Sequence, residues 1–348
     1  MIVLLASAAV SLLVTLTVTP IAIRYFRSKE IGQFIQDEVA HDHKQGTPTM
    51  GGLVMIVAVV AGWIVGHLDL RDPSGAWDLG WRPFRTPGLL VLFAFVGMGL
   101  IGFLDDLSKV TRERNQGLKK RWKFAGQLAI AGLFAWAAVD YGVNTELSFT
   151  KPLGFELGAL YVVWVLFLLT ATANAVNFTD GLDGLASGSA ALVFGAFLII
   201  AFWQFRHPDF YETVHTLEIA GLAAALVGVS LGFLWWNAAP AKIIMGDTGS
   251  QALGGAMAAM ALLTNTHLLL AVLCGLYVIE MMSVVLQITS FRLFGKRIFK
   301  MAPLHHHFEL KGWPETMIIV RFWILAAIFI ALGLGMFYGD FISSGGIG

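Results

Sequence analysis

Charge is scarce in this chain. Only 13% of its 348 residues are Asp, Glu, Lys or Arg, and 23 basic residues balance 23 acidic ones at a net charge of +0. Such a chain has no broad basic surface for nucleic acid, so the placement of its charges matters more than their sum. Cysteine is nearly absent. Cys274 stands alone in an apolar run, which excludes an intrachain disulfide and says nothing of redox compartment. No internal repeat or low-complexity tail stands out. The N-terminus, Met1 to about Tyr25, lacks a basic leader and a clear small-residue cleavage site. It is expected to persist as a first helix rather than be removed as a signal peptide.

Hydrocarbon fills the space that charge leaves. The chain is 57% hydrophobic, with a mean hydropathy of +0.73. Apolar runs of roughly 17–25 residues, enough to cross about 30 Å of hydrocarbon, recur throughout. Ten spans are expected, at 2–25, 50–67, 87–104, 123–140, 157–173, 184–204, 217–235, 249–264, 267–290 and 317–338. Together they predict one all-α polytopic membrane domain covering 1–348. The eighth span is rich in Gly and Ala, which suits close helix packing rather than lipid exposure.

The connectors divide by charge. Seventeen of the 23 Lys and Arg residues fall in or beside 26–49, 105–122, 174–183, 236–248 and 291–316. Five (Arg71, Arg82, Arg85, Lys151 and Arg206) fall in the alternate connectors, and Arg321 sits just inside the last span. The positive-inside rule places the first set in the cytoplasm and both termini outside. Loose alternation around Lys151-Pro152 suggests a small external β-hairpin at 143–156. Residues 291–313 mix Phe and Leu with Lys and Arg, as an amphipathic segment lying on the cytoplasmic leaflet does.

Five polar clusters fall on that cytoplasmic side. Residues His41 to Gly52 form a Gly/Thr/Pro loop whose Lys44, hydroxyls and amides suit a phosphate at a helix start, although an ordinary capped helix explains them as well. Asp105-Asp106, followed by the basic run Lys119-Lys120-Arg121-Trp122-Lys123, is costly near hydrocarbon and suits Mg²⁺ binding or base chemistry. Asn174, Asn177, Asp180 and Asp183 recur every third residue, with Gly181 and Gly184 allowing close backbone approach to a ligand. Gly246-Asp247-Thr248-Gly249-Ser250 reads equally as a turn or cap, and the company of other acids tips it towards metal ligation. His305-His306-His307 cannot all point one way, so three metal ligands from this run alone are not expected. Glu280, inside the ninth span, is either functional or paired within the bundle.

These residues carry a resemblance. Gly46-Thr47-Pro48-Thr49-Met50-Gly51-Gly52, Asp105-Asp106, Asn174 to Gly184, Gly246 to Ser250 and Ala302-Pro303-Leu304-His305-His306-His307-Phe308-Glu309 resemble the phospho-N-acetylmuramoyl-pentapeptide-transferase (MraY) family. That family lies within the polyprenyl-phosphate N-acetylhexosamine-1-phosphate transferases, and the resemblance spans essentially the whole chain. It implies ten helices, often as a homodimer, in the bacterial inner membrane with the active site facing the cytoplasm. It implies Mg²⁺-dependent transfer of phospho-MurNAc-pentapeptide from UDP-MurNAc-pentapeptide to undecaprenyl phosphate, giving lipid I and UMP in peptidoglycan synthesis. By the same analogy Asp247 leads the metal ligands, with Asp106 and Asp180 in support. Asp105 acts as base or orienter of the lipid phosphate, and His306 joins the catalytic set. Lys44, Thr49, Lys109, Lys123, Asn174, Asn177, Asn237, His305 and His307 would hold substrate, and Gly181, Leu182 and Asp183 would line the uridine pocket. One departure is Ile244, where many members carry an aromatic residue that can stack on uracil.

Two other readings compete. A UDP-GlcNAc transferase shares the acids, but the tri-His stretch argues against it. An ion-coupled transporter would gather polar groups near the midplane at broken helices, whereas these clusters gather at one surface.

Overall fold

Backbone amides find no partner in hydrocarbon, so a chain this apolar must satisfy its own hydrogen bonds, most simply as helices. The computed structural model describes residues 1–29, 31–32, 46–71, 77–111, 117–211, 213 and 215–345. In chain order come α1 (Ile2–Ser28), α2 (Gly52–Gly66), the strands β1 (Leu68–Arg71) and β2 (Trp77–Trp81), α3 (Thr86–Thr111) and α4 (Lys120–Tyr141). Strands β3 (Glu146–Ser148) and β4 (Pro152–Glu156) precede α5 (Leu160–Thr179), α6 (Leu185–Arg206), the short α7 (Pro208–Tyr211) and α8 (Thr216–Asn237). The chain ends with α9 (Gly246–Leu263), α10 (Leu269–Leu273), α11 (Gly275–Phe294), α12 (Leu304–Glu309) and α13 (Glu315–Ser343). Eight of these helices are long and apolar enough to cross a membrane. The other two expected spans are α2, at 15 residues, and α9, whose first turn is polar. This is an all-α polytopic membrane protein.

Helix α9 is the axis of the bundle. Every residue from Thr248 to Leu263 is buried, as its small side chains predict, against α2, α3 and α5. Glycine sets the closeness. A Cβ on Gly102 of α3 would fall 2.1 Å from the Asp247 carbonyl oxygen, and one on Gly254 would fall 2.5 Å from Ala173 Cα of α5. On α1, Ser7, Ser11, Thr15 and Thr19 recur every fourth residue and are all buried. Thr15 and Thr19 return their hydroxyls to the carbonyls one turn back, and Ser11 Oγ donates to the Ala58 carbonyl of α2 at 3.0 Å.

The structure departs from the sequence reading in three places. The hairpin expected at 143–156 is present as β3 and β4, and a second antiparallel hairpin, β1 with β2, was not anticipated. The ninth span is not continuous: the chain turns at Cys274 between α10 and α11. Asp105-Asp106 and Asn174 to Thr179 lie within α3 and α5, not in connectors, because both helices continue past their apolar stretches. On α3 the extra turns bring Lys109 onto Asp105, four residues back.

The two ends of the bundle differ. Both hairpins gather at one end, where Thr150 Oγ1 donates to Asp340 Oδ2 at 2.5 Å and His67 Nε2 lies 2.9 Å from Glu218 Oε2. Pro87, Glu146 and Tyr211 line one cavity there. The acids expected to carry chemistry lie at the other end.

Candidate active site

The first four N–H groups of a helix have no partner within it. For α9 the residue before the helix, Met245, has no side chain to supply one. Asp106, from α3, supplies it instead. Its carboxylate accepts from the Asp247 N–H at 3.1 Å, the Thr248 N–H at 2.9 Å and the Thr248 hydroxyl at 2.7 Å. A carboxylate at a helix N-terminus is favoured both by these bonds and by the helix dipole. The same contact brings Asp106, Asp105 and Asp247 together, with one carboxylate oxygen of each within 4.8 Å of the others.

Like charges this close need counter-charge. Lys109 Nζ lies 2.7 Å from Asp105 Oδ2, 3.1 Å from Asp247 Oδ1 and 3.5 Å from Asp106 Oδ1. Lys123, from α4, donates to Asp247 Oδ2 and lies 4.0 Å from Asp105. Asn177, from α5, donates to Asp247 Oδ1 at 3.0 Å and Ser250 Oγ at 2.9 Å. The Leu118 N–H reaches Asp105 Oδ1 at 2.9 Å. Three carboxylates thus face two ammonium groups, leaving one negative charge in excess among these five side chains. Clustered hard oxygen donors with surplus negative charge suit a divalent cation such as Mg²⁺. The trio contains two of the three suggested metal ligands, Asp247 and Asp106, with Asp105 beside them, and Asp180 is the C-cap of α5.

The loop before α2 closes over the same point. Ile244 donates to the Pro48 carbonyl at 2.8 Å, and Gly51 and Gly52 donate to the carbonyls of Ile244 and Met245. Thr49 Oγ1 then lies 3.1 Å from where Gly246 would carry a Cβ. Lys44 lies outside the described residues.

A second cluster adjoins the first through the end of α5. Asp183 Oδ2 accepts the Ala241 N–H at 2.8 Å, and the Asp183 N–H donates to Glu315 Oε1 at 3.1 Å. Asn237, 2% exposed, accepts from the Gly184 N–H and Ser187 Oγ, each at 3.1 Å, and donates to the Ile243 carbonyl at 3.0 Å. These two side chains therefore bind the turn after α5 to the loop before α9. Leu182 is buried with Leu185, Leu276 and Ile318. Gly181 leaves room for His305, whose Nε2 would lie 2.3 Å from a Cβ there.

The three histidines do diverge. His305 is fully buried, with Nδ1 3.2 Å from Glu280 Oε2, so Glu280 is paired within the bundle. Burial holds the His305 imidazole below its usual pKa, with the neighbouring Glu280 opposing the shift. His306 Nδ1 lies 2.5 Å from Glu309 Oε2, and His307 Nδ1 accepts the Lys300 N–H at 3.0 Å. Phe291, Leu293, Phe294 and Ile298, in the stretch expected to be amphipathic, are exposed. Thr248 and Ser250 had no individual role in the sequence reading, and Glu315 had none at all. The signal for Thr248 and Ser250 was their place in the first turn after Asp247.

The chain is similar to known proteins over nearly its whole length. The glycosyl transferase family 4 model matches residues 88–265. The phospho-N-acetylmuramoyl-pentapeptide-transferase of Beutenbergia cavernae is 44% identical over 98% of this chain and 99% of the relative. Its namesakes in Frankia casuarinae and Streptomyces coelicolor are each 47% identical, over 98% and 96% of this chain and 99% and 97% of their own lengths. The chain belongs to the phospho-N-acetylmuramoyl-pentapeptide-transferase family. Of the five motifs that carried the resemblance, three lie inside the matched segment and two outside it. Asp105, Asp106, Lys109, Lys123, Asn177 and Asp247 fall inside it, and the Thr49 loop and His305 to His307 fall outside it.

Proposed function

We propose that this protein transfers phospho-MurNAc-pentapeptide from UDP-MurNAc-pentapeptide to undecaprenyl phosphate, releasing UMP and forming lipid I. The convergence of Asp105, Asp106 and Asp247 around Lys109 and Lys123 carries this reading. Transfer between two phosphorylated substrates is chiefly a problem of placing and neutralising negative charge. Lys109 and Lys123 supply mobile positive charge for the phosphates. Asn177 holds Asp247 in place, and Asp106 anchors α9 so that Asp247 and Asp105 face one another. Thr49 offers a hydroxyl beside them. Asp105 orients the attacking lipid phosphate, and Gly181, Asp183 and the His305 to His307 stretch line the nucleotide side.

Asp247, Asp105 and Asp106 have the hard-oxygen chemistry that Mg²⁺ requires. When bound there, Mg²⁺ supplies charge neutralisation for the pyrophosphate and the departing UMP. The bias of basic residues puts this end of the bundle in the cytoplasm and both termini outside. The protein then lies in the bacterial inner membrane and works as a homodimer in peptidoglycan synthesis.

The test is UMP release by purified full-length protein given undecaprenyl phosphate, Mg²⁺ and either UDP-MurNAc-pentapeptide or UDP-GlcNAc. Release with the first donor alone is expected. Release with only UDP-GlcNAc would reassign the donor, and no release from either by folded protein would overturn the transferase reading.

A further inference from the structure

Beneath the charged cluster lies an uncharged one. Gln127 of α4 is 1% exposed, Gln251 of α9 is fully buried, and Asn174 of α5 is half-buried. Gln127 Nε2 donates to Gln251 Oε1 at 3.1 Å. Asn174 Nδ2 donates to Gln127 Oε1 at 3.0 Å and to the Thr170 carbonyl at 2.7 Å. Gln127 is the only polar side chain of α4 between Lys123 and Asp140, and no polar side chain follows Gln251 in α9.

The spacing relates this tier to the site. Gln127 follows Lys123 by four residues, Gln251 follows Asp247 by four, and Asn174 precedes Asn177 by three. Residues three or four apart share a helix face one turn apart. Of the four helices that send a side chain to Asp247 or supply it, α4, α5 and α9 therefore also send an amide to the layer below, and α3, which sends Lys109, does not. Packing between small and aliphatic side chains leaves helices some freedom to slide, whereas directional bonds among amides select one register. Asn177 and Lys123 reach Asp247 at that register.

We infer that Gln127, Asn174 and Gln251 are positioning residues, a hydrogen-bonded tier that sets α4, α5 and α9 at the register where Lys123, Asn177 and Asp247 meet. This assigns Asn174 to the scaffold rather than to substrate. The inference rests on the proposed roles of Lys123, Asn177 and Asp247.

The test compares single and triple apolar replacements in the full-length protein. Gln127→Leu or Gln251→Leu alone strands buried amide partners, which costs stability whatever the tier does. The triple variant, Gln127→Leu with Asn174→Leu and Gln251→Leu, removes every partner at once. We expect its thermal midpoint to approach wild type. Its kcat should still fall roughly 10- to 100-fold, the range for residues that orient a metal site's ligands, with KM for the nucleotide donor nearly unchanged. Mn²⁺ affinity, read by electron paramagnetic resonance without substrate, should fall as well. Recovery of wild-type kcat and Mn²⁺ affinity in a stable triple variant would overturn the inference.

If the triple variant does not fold, Gln127→Leu is made in a Lys123→Ala background. A further loss of kcat below about twofold supports positioning through Lys123, since coupled residues are non-additive. A full multiplicative loss overturns it. If wild-type protein releases no UMP from the expected donor, the functional reading fails on its own. The tier is then judged by Mn²⁺ alone, and unchanged affinity in Gln251→Leu overturns it.

Discussion

The two ends of this bundle handle buried charge differently. At the hairpin end, polar groups meet in small sets: His67 with Glu218, and Lys151 with Asp340, whose carboxylate also takes the Thr150 hydroxyl. At the opposite end three carboxylates share two lysines, and Lys109 alone touches all three. A buried ion pair is tolerated because each partner offsets the other's desolvation. A surplus of one sign has no such account within the protein. On the proposed function, the balanced groups hold the fold and the surplus serves a cation and the substrate phosphates.

Four variants test that contrast. The largest effect is expected from Asp247→Asn, which erases the surplus charge while keeping the side chain's shape. UMP release should fall by on the order of 1,000-fold or more, with the thermal midpoint close to wild type. Wild-type turnover would remove Asp247 from the site. Next comes Gly102→Ala. Its new Cβ would fall 2.1 Å from the Asp247 carbonyl, so α3 and α9 must part. Displacement by about 1 Å should lower kcat by about 100-fold although no charge has changed, and unchanged kinetics would show that the helices have slack. Lys123→Arg keeps the charge but replaces a compact ammonium with a planar fork, so a loss of about tenfold is expected in steady-state assays. The smallest catalytic effect should come from Glu218→Gln at the balanced end. It should lower the thermal midpoint by a few degrees and leave kcat within about twofold, since the loss is one of stability. A large loss of turnover without melting would break the contrast.

Much of this was legible in the chain. Long apolar runs had to become spans, and Gly254, Gly255 and their alanine neighbours marked α9 as the helix without lipid contact. Asp105 and Asp247 were visible because carboxylates near hydrocarbon are costly. Other features depended on contacts that no local pattern encodes. Gln127 looks like one polar residue in an apolar run, and Gln251, 124 residues on, like the end of a polar first turn, until the helices meet. The turn at Cys274 interrupts a run that is apolar on both sides, so hydropathy does not mark it. Strands β1 and β2, four and five residues long, are too short to show an alternation. That Asp105 joins Asp106 and Asp247 depended on the tertiary approach of α3 to α9, through Gly102.

Helix α9 also bears on how the protein is made. Eighteen residues long, almost entirely enclosed and with Asp247 in its first turn, it is the one long helix among the described residues that composition alone does not qualify as a membrane span. Insertion from the translocon favours segments whose own side chains partition into lipid. For α9 that preference is weak, and its stable surroundings are α2, α3 and α5, all synthesised earlier. A nascent chain halted before Gly246 carries Asp105, Asp106, Lys109 and Lys123 but no Asp247. The carboxylate trio is therefore completed late in biogenesis, when this Gly- and Ala-rich helix joins the helices it packs against.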